Sequence, residues 1–326
     1  MDQKLRSSIT AGLGVALAIA APHGAAQGIA YPTKPVRMIV SSGAGGGLDF
    51  VARLVATPLT EALGQSVVVD NRAGASGSIA AELTSHSAPD GYTLMMLSAS
   101  LVVYGIVNKT PYDLFRDFDP ISLVSAGPYI LTVHPSLPVN SVKDLIAYAK
   151  ANPSKLNFAS TGNASLAQLA GELFAISTGT KLVHIPYKGV GAALTDLLSG
   201  QVQMSFLSGG SVYSQVRSQK LKALAIASTT RAKMAPELPT MIEAGVPGYA
   251  VTQWHGLMAP RGTPRVVIER LHQEIVKAVQ RPEVTSRLAL DGTEGVASSP
   301  KEFAAHLRTE REQWAKVVKA ANIRSD

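Results

Sequence analysis

Two periods of apolar and polar positions alternate along the chain. Short runs such as Val36-Arg37-Met38-Ile39-Val40, Val67-Val68-Val69 and residues 92–97 have β character, and each precedes a loop of small residues and then a stretch with helical spacing. The first helix is predicted over 48–63 and ends at Gly64, a helix stop. A second is predicted over 79–85, before the turn Pro89-Asp90-Gly91. After a less regular stretch, residues 129–133 read as a strand leaving this unit. Ser141 with Asp144 at the third position caps the next helix. The alternation then repeats, with strands at 156–159, 182–186, 202–206 and 223–227 and helices at 166–177 and 192–198. Extended segments at 249–254 and 255–259 return to the first unit. Thr263-Pro264 opens a helix with proline at its favoured first position, and Ser299-Pro300-Lys301-Glu302 forms a capping box for the last one. Strands alternating with helices in this way predict an α/β architecture.

The N-terminus departs from that pattern. Residues 9–21 are almost entirely apolar, a run of 13, where a membrane span needs about 20. Lys4 and Arg6 precede it, and Gly24-Ala25-Ala26 follows with small residues suited to cleavage. Residues 1–26 are therefore expected to be a signal peptide cut near Ala26, and the mature chain to be exported to the periplasm and not embedded in a membrane. A length of 326 residues suggests two domains. With 46% hydrophobic and 16% charged residues, the chain has material for buried cores. The net charge of +7 is spread without a basic run and aromatics are only 6%, so nucleic acid is not an expected partner. The absence of cysteine excludes disulfides, thiolate metal sites, a cysteine nucleophile and a lipidated-cysteine anchor.

The loop Ser41-Ser42-Gly43-Ala44-Gly45-Gly46-Gly47 invites a nucleotide-binding reading and fails its tests. Leu48-Asp49 stands where a phosphate-binding loop needs Lys-Ser/Thr, the dinucleotide spacing ends on Leu48, and no basic residue lies in the loop. What survives is a turn that exposes backbone N–H groups at a helix N-terminus, able to hold a carboxylate. Gly74 to Gly77, with Ala75 and Ser76, offers a second such turn, and Ser160-Thr161-Gly162-Asn163 a third. In open α/β sheets ligands sit beyond the carboxyl ends of strands, where these loops lie. Asp49 reads first as a complement to the helix dipole and an i,i+4 partner of Arg53, and Lys188 as either an anion attractor or a solvated lysine.

Catalytic signatures are missing. The histidines, at 23, 86, 134, 184, 255, 272 and 306, make no H-x-x-H or H-E-x-x-H, and no serine sits in G-x-S-x-G. Ser298 to Lys301 matches S-x-x-K only by coinciding with the capping box. The chain is not expected to be an enzyme, and no metal or cofactor is expected.

Several longer segments carry a resemblance. They are Tyr31-Pro32-Thr33-Lys34-Pro35-Val36-Arg37, Gly45-Gly46-Gly47-Leu48-Asp49, Asp70-Asn71-Arg72-Ala73-Gly74-Ala75-Ser76-Gly77 and Pro89-Asp90-Gly91-Tyr92-Thr93-Leu94. Later come His184-Ile185-Pro186-Tyr187-Lys188-Gly189, Leu238-Pro239-Thr240-Met241-Ile242-Glu243-Ala244-Gly245 and Ala259-Pro260-Arg261-Gly262-Thr263-Pro264. In this order and spacing the chain resembles the Bug/TctC family of receptors of tripartite tricarboxylate transporters. The resemblance implies a two-domain Venus-flytrap fold, with domain 1 formed by 27–127 plus 250–326 and domain 2 by 128–249. It implies capture of a small carboxylate, a dicarboxylate or an aromatic carboxylate, and delivery to the transporter's membrane subunits. A monomer is expected. Carried over by position, the binding residues are Ser41, Ser42, Gly43, Ala44, Gly45, Gly46, Asp49, Ala75, Ser76, Ser98, Ser160, Thr161, Asn163, Lys188, Phe206, Leu207 and Ser208. Where the family often places an acid or amide after the phenylalanine, this chain has Leu207, which implies a more apolar wall. A ligand-presenting sensor and a secreted α/β enzyme remain the alternatives.

Overall fold

The computed structural model describes residues 31–324, so the expected signal segment lies outside the described residues. β1 (Val36–Val40) is buried at all but one position, as suits a central parallel strand. It feeds α1 (Gly47–Leu63), which stops at Gly64 with φ 65°, a left-handed conformation that glycine takes without strain. β2 (Val67–Asn71), α2 (Ser78–Ser85), β3 (Thr93–Ser98) and α3 (Ala99–Val107) continue the alternation into β4 (Phe118–Val133), a strand of 16 residues. Then come α4 (Val142–Ala151), β5 (Asn157–Ser160), α5 (Leu166–Thr178), β6 (Val183–Pro186), α6 (Val190–Ser199), β7 (Met204–Ser208), α7 (Gly209–Arg217) and β8 (Lys222–Ile226). The chain ends with β9 (Thr252–Pro260), α8 (Arg265–Gln280), α9 (Pro282–Leu290), the short β10 (Glu294–Gly295) and α10 (Pro300–Ala320).

The strands run in the order β2-β1-β3-β9-β4-β7-β5-β6, with β10 and β8 also paired to β4. β4 is the element shared by both halves. Its first part pairs antiparallel with β9, from Phe118↔Pro260 to Pro128↔Thr252. Its second part pairs antiparallel with β7, from Tyr129↔Ser208 to Val133↔Met204. Directions follow from this register. β3 is antiparallel to β9 and so runs with β4, and β1 and β2 run with β3. Their carboxyl ends point to the place where β4 leaves the first half. β7 runs against β4 and ends opposite Tyr129, and β5 and β6 run with β7. The carboxyl ends of the parallel strands in both halves therefore face the same junction.

A continuous hydrophobic cluster crosses that junction, joining Phe158, Phe174 and Phe206 to Trp254, Phe303 and Trp314. Phe206 stacks on Tyr249 at 5.7 Å, and the Tyr249 hydroxyl donates to the Ala170 carbonyl at 2.8 Å. Both indoles donate to one buried carboxylate, Glu310 Oε2, at 3.1 Å from Trp254 and 2.8 Å from Trp314. A buried charge needs such partners to offset its lost hydration.

Two predicted caps form as expected. Ser141 accepts from the Asp144 N–H, and Ser299 with Glu302 completes a reciprocal capping box. Other readings are corrected. Residues 249–254 and 255–259 are not two extended segments but contribute to the single strand β9. Pro264 caps α8 from just outside it instead of opening it. β7 starts two residues later than predicted and keeps Leu207 and Ser208 within the strand. α3, α7, α9 and the first part of β4 had no counterpart in the sequence reading. Among the described residues, no helix is long and apolar enough to cross a membrane.

Candidate functional site

The loop after β1 is held from beneath. Asp49, only 4% exposed, accepts from the Gly45 N–H at 2.9 Å, from Asn71 Nδ2 at 2.9 Å and from Arg53 Nε at 3.1 Å. Asn71 also donates to the Ser42 carbonyl at 3.1 Å, which ties the loop to the end of β2. Burial alone would raise the Asp49 carboxyl pKa, but the hydrogen bonds from Arg53, Gly45 and Asn71 bring it below the usual carboxylate value. With the loop braced from below, Gly43, Ala44, Gly45, Gly46 and Gly47 stay exposed. Gly46 is the N-cap of α1 and supplies no side-chain acceptor to its first N–H groups.

The turn after β2 leans on this loop. A side chain on Gly77, at φ 99°, would meet Ser41 Cβ at 2.7 Å, so only glycine fits. Ala75 (φ 46°) and Ser76 (φ 51°) are held in the left-handed region, where non-glycine residues are uncommon. Gly77 caps α2, again without a side-chain hydrogen bond. Ser98 ends β3, pairs with His255 on β9, and caps α3 through no side-chain bond. The first half thus presents the N-termini of α1, α2 and α3 at the carboxyl ends of its strands, each without a side-chain cap.

The second half is built differently. Ser160 Oγ lies 2.6 Å from His184 Nε2 and is within 2.9 Å of the Gly162 carbonyl and 3.2 Å of the Gly162 N–H. Burial lowers the His184 pKa to about 4, so the ring is neutral at pH 7. The N–H groups of Tyr187 and Gly189 donate to the carbonyls of Ser160 and Thr161, at 3.1 and 3.3 Å. This joins the loops carrying Thr161 and Asn163 to the one carrying Lys188, with Asn163 and Lys188 exposed. Gly189 and Ser208 cap α6 and α7 without side-chain bonds, and Ser208 Oγ sits 2.6 Å from Ser211 Oγ.

Three of the residues expected to touch a ligand turn inward instead. Asp49 is the brace just described. Phe206 and Leu207, 0% and 1% exposed, belong to two hydrophobic clusters on opposite faces of β7. A strand side chain that faces a packed core cannot also face a cleft, so these two shape the wall from behind. Ser41 and Ser160 are also buried, and the Ser160 hydroxyl is already engaged.

The sequence reading missed a polar group at the junction itself. Gln253 Nε2 donates to His255 Nε2 at 3.1 Å, which places the ring proton on Nδ1, 3.0 Å from Ser125 Oγ. Burial lowers the His255 pKa to about 4. A Cβ on Gly47 would lie 3.8 Å from Gln253 Nε2 and 3.9 and 4.0 Å from the carboxyl oxygens of Asp291. A Cβ on Gly210, in the first turn of α7, would collide with the Asp291 backbone carbonyl. The turn at Asp291-Gly292 therefore sits between the helix N-termini of the two halves. The sequence pattern gives this turn no role. Among the described residues, no group of three or more His, Cys, Asp or Glu side chains could hold a metal ion.

The model of the tripartite tricarboxylate transporter receptor family matches residues 51–323. Three solved structures share the fold along nearly their whole length. Rpa4515 of Rhodopseudomonas palustris, with adipate, is 34% identical at a TM-score of 0.82, covering 90% of this chain and 99% of its own. The periplasmic binding protein BugD is 34% identical at 0.79, covering 91% and 100%. MatC of the same R. palustris, with bound malate, is 30% identical at 0.78, covering 88% and 100%. The fold is that of a two-domain periplasmic binding protein, and its relatives are receptors that hold solutes, not enzymes. The chain belongs to the tripartite tricarboxylate transporter receptor family.

Proposed function

We propose that the protein captures a small aliphatic dicarboxylate between its two domains in the periplasm and delivers it to the membrane subunits of a tripartite tricarboxylate transporter. The observation that carries this reading is the set of helix N-termini without side-chain caps at strand ends on both sides of the junction, α1, α2 and α3 opposite α6 and α7. Their N–H groups and dipoles suit an anion, with no basic side chain required. Relatives with adipate and with malate at 34% and 30% identity favour two carboxylates over one. One carboxylate docks on the loop from Ser41 to Gly46, with Ala75, Ser76 and Ser98 beside it. The other recruits Thr161, Asn163, Lys188 and Ser208, and Ser160 holds their loop in shape. The domains, 27–127 plus 250–326 and 128–249, close about β4 and β9. Closure excludes water and strengthens these hydrogen bonds.

A thermal-shift panel of mono-, di- and tricarboxylates on the mature chain tests this. A dicarboxylate at 100 times its dissociation constant adds about 2.7 kcal/mol of stability, a rise of a few degrees in midpoint, and is recovered unaltered. A flat panel on folded, ligand-free protein would exclude the carboxylate class. X-ray scattering that shows no compaction with ligand bound would exclude closure.

A further inference from the structure

We propose that Asp291 is a ligand-contacting, specificity-determining residue that meets one ligand carboxylate as a neutral carboxylic acid, so that dicarboxylate capture takes up one proton. This rests on the carboxylate-binding reading above and adds to it the protonation state of the complex. Asp291 lies on the turn between α9 and β10, where the two sets of candidate residues converge. Its carboxyl group is beside Gly47, at the N-terminus of α1, and its backbone abuts Gly210, at the N-terminus of α7. A carboxylate held by the loop from Ser41 to Gly46 therefore comes close to a second carboxyl group supplied by the protein.

That second carboxyl group is poorly equipped to be an anion. Oδ2 is buried and, among the described residues, has no hydrogen-bond partner. Burial raises its pKa to about 6, against a hydrogen bond from Thr293 that acts the other way. Among the described residues, no side chain around it supplies a compensating charge, and the partial positive charge at the N-terminus of α1 is what the ligand carboxylate occupies. On α1 the ionisable neighbour is Asp49, turned to Gly45, Asn71 and Arg53. On β9 it is His255, which is neutral. α7 brings Gly210, whose Cβ would meet the Asp291 carbonyl, and β4 brings Gly127, whose Cβ would press on the Gly292 carbonyl at 2.5 Å. In the segment after β8, Arg231 is paired with Glu243 at 2.9 Å and Lys233 with Glu294 of β10 at 2.7 Å. Arg287 on α9 is exposed to solvent.

Two carboxylates at such a place repel each other, whereas a carboxylic acid and a carboxylate share a proton in a short, charge-assisted hydrogen bond. Below a pH of about 6 the proton is already on Asp291. Above it, the acid O–H forms with a proton taken from the medium, and it donates to a ligand oxygen without any other bond being made or broken.

Isothermal titration of the mature chain with adipate and with malate between pH 6.5 and 8.5, in buffers of different ionisation enthalpy, tests the proposal. The expected result is an uptake approaching one proton and a dissociation constant that rises towards about tenfold per pH unit. Asp291→Asn, which keeps the shape without the proton, is expected to bind with no uptake and no pH dependence. Binding without uptake in the natural chain overturns the proposal, and so does uptake that persists in Asp291→Asn. Should Asp291→Asn fail to fold, Asp291→Ser, which also carries no titrating group, assigns the uptake in its place, and absence of uptake by the natural chain overturns the proposal on its own. Failure of both probes to bind at every pH is a separate outcome, which removes the dicarboxylate reading and this inference with it.

Discussion

The two halves of the junction hold their loops by opposite means. In the first half the brace is a charge. Asp49 collects an N–H, an amide and a guanidinium, and the loop above it offers bare backbone. In the second half the brace is neutral. Ser160 bridges a half-buried, uncharged His184 and both backbone groups of Gly162. An anionic brace sits beneath an anion site at some electrostatic cost, which the dipole of α1 and Arg53 offset. A neutral brace carries no such cost but holds by weaker bonds, none of them charge-assisted. The first loop is therefore expected to be the stiffer platform, and the second the one that adapts to the rest of the ligand.

Asp49→Ala is the severest way to break this contrast. It removes the acceptor of the Gly45 N–H and of one Asn71 amide hydrogen, and leaves Arg53 without its carboxylate partner. These partners are part-buried or exposed and lose charge-assisted bonds, so the expected loss is about 2–3 kcal/mol in urea unfolding. Dicarboxylate affinity is expected to fall with it. Asp49→Asn is expected to recover only part of the loss, since it returns an acceptor without the charge. Equal behaviour of Asn and Asp here would show that charge is not what holds the loop.

Ser160→Ala comes next, at about 1–2 kcal/mol, because it removes one neutral hydroxyl that serves His184 and Gly162. Amide exchange at Gly162 and Asn163 is expected to quicken, while Gly45 is unaffected. Faster exchange in both loops would mean that the two halves are coupled through β4 and are not braced separately.

How much of this was legible before folding depends on whether a residue's role is local. Caps and stops are local, and Ser141, Ser299 with Glu302, and Gly64 could be read from neighbours three or four positions away. The glycine loops and the pairing of Asp49 with Arg53 were legible for the same reason. α3 was not. Its Leu101-Val102-Val103-Tyr104 looks like strand, and it is helical because packing overrides propensity in a buried segment with α10 alongside. The first part of β4 was hidden by Pro120, Gly127 and Pro128, which argue against a strand. The register in fact shifts between Pro120 and Ser122, a local irregularity of the kind that lets a strand keep such residues. Phe206 and Leu207 could be placed on a strand, but which face each took depends on partners far away in sequence. Asp291 and Gln253 become neighbours of Gly47 only through the return of β9 and the α9 turn. Tertiary juxtaposition of that kind leaves no mark at short range.

The smallest expected effect is also the sharpest separation of the two braces, because their charges respond to acid in different windows. The folded His184 pKa, about 4, lies below its ordinary value of 6.5. The unfolded chain therefore binds the proton more readily between those values. The stability tied to neutral His184 is complete above pH 6.5 and is lost as pH falls towards 4. Asp49 also has a depressed pKa, but from an ordinary value of 3.8. Its contribution is complete above that value and is lost only at lower pH. Allowing for partial exposure of the ring, the His184 contribution amounts to about 1 kcal/mol. His184→Gln, which keeps a neutral partner for Ser160, is expected to flatten the thermal midpoint between pH 6.5 and 4.5 relative to the natural chain and to leave the acid limb below pH 3.8 unchanged. A midpoint that falls equally in both proteins over the upper window would mean that His184 is solvated when the chain is folded. The brace of the second loop would then carry a charge below pH 6.5, and over that window the contrast between the halves would be lost.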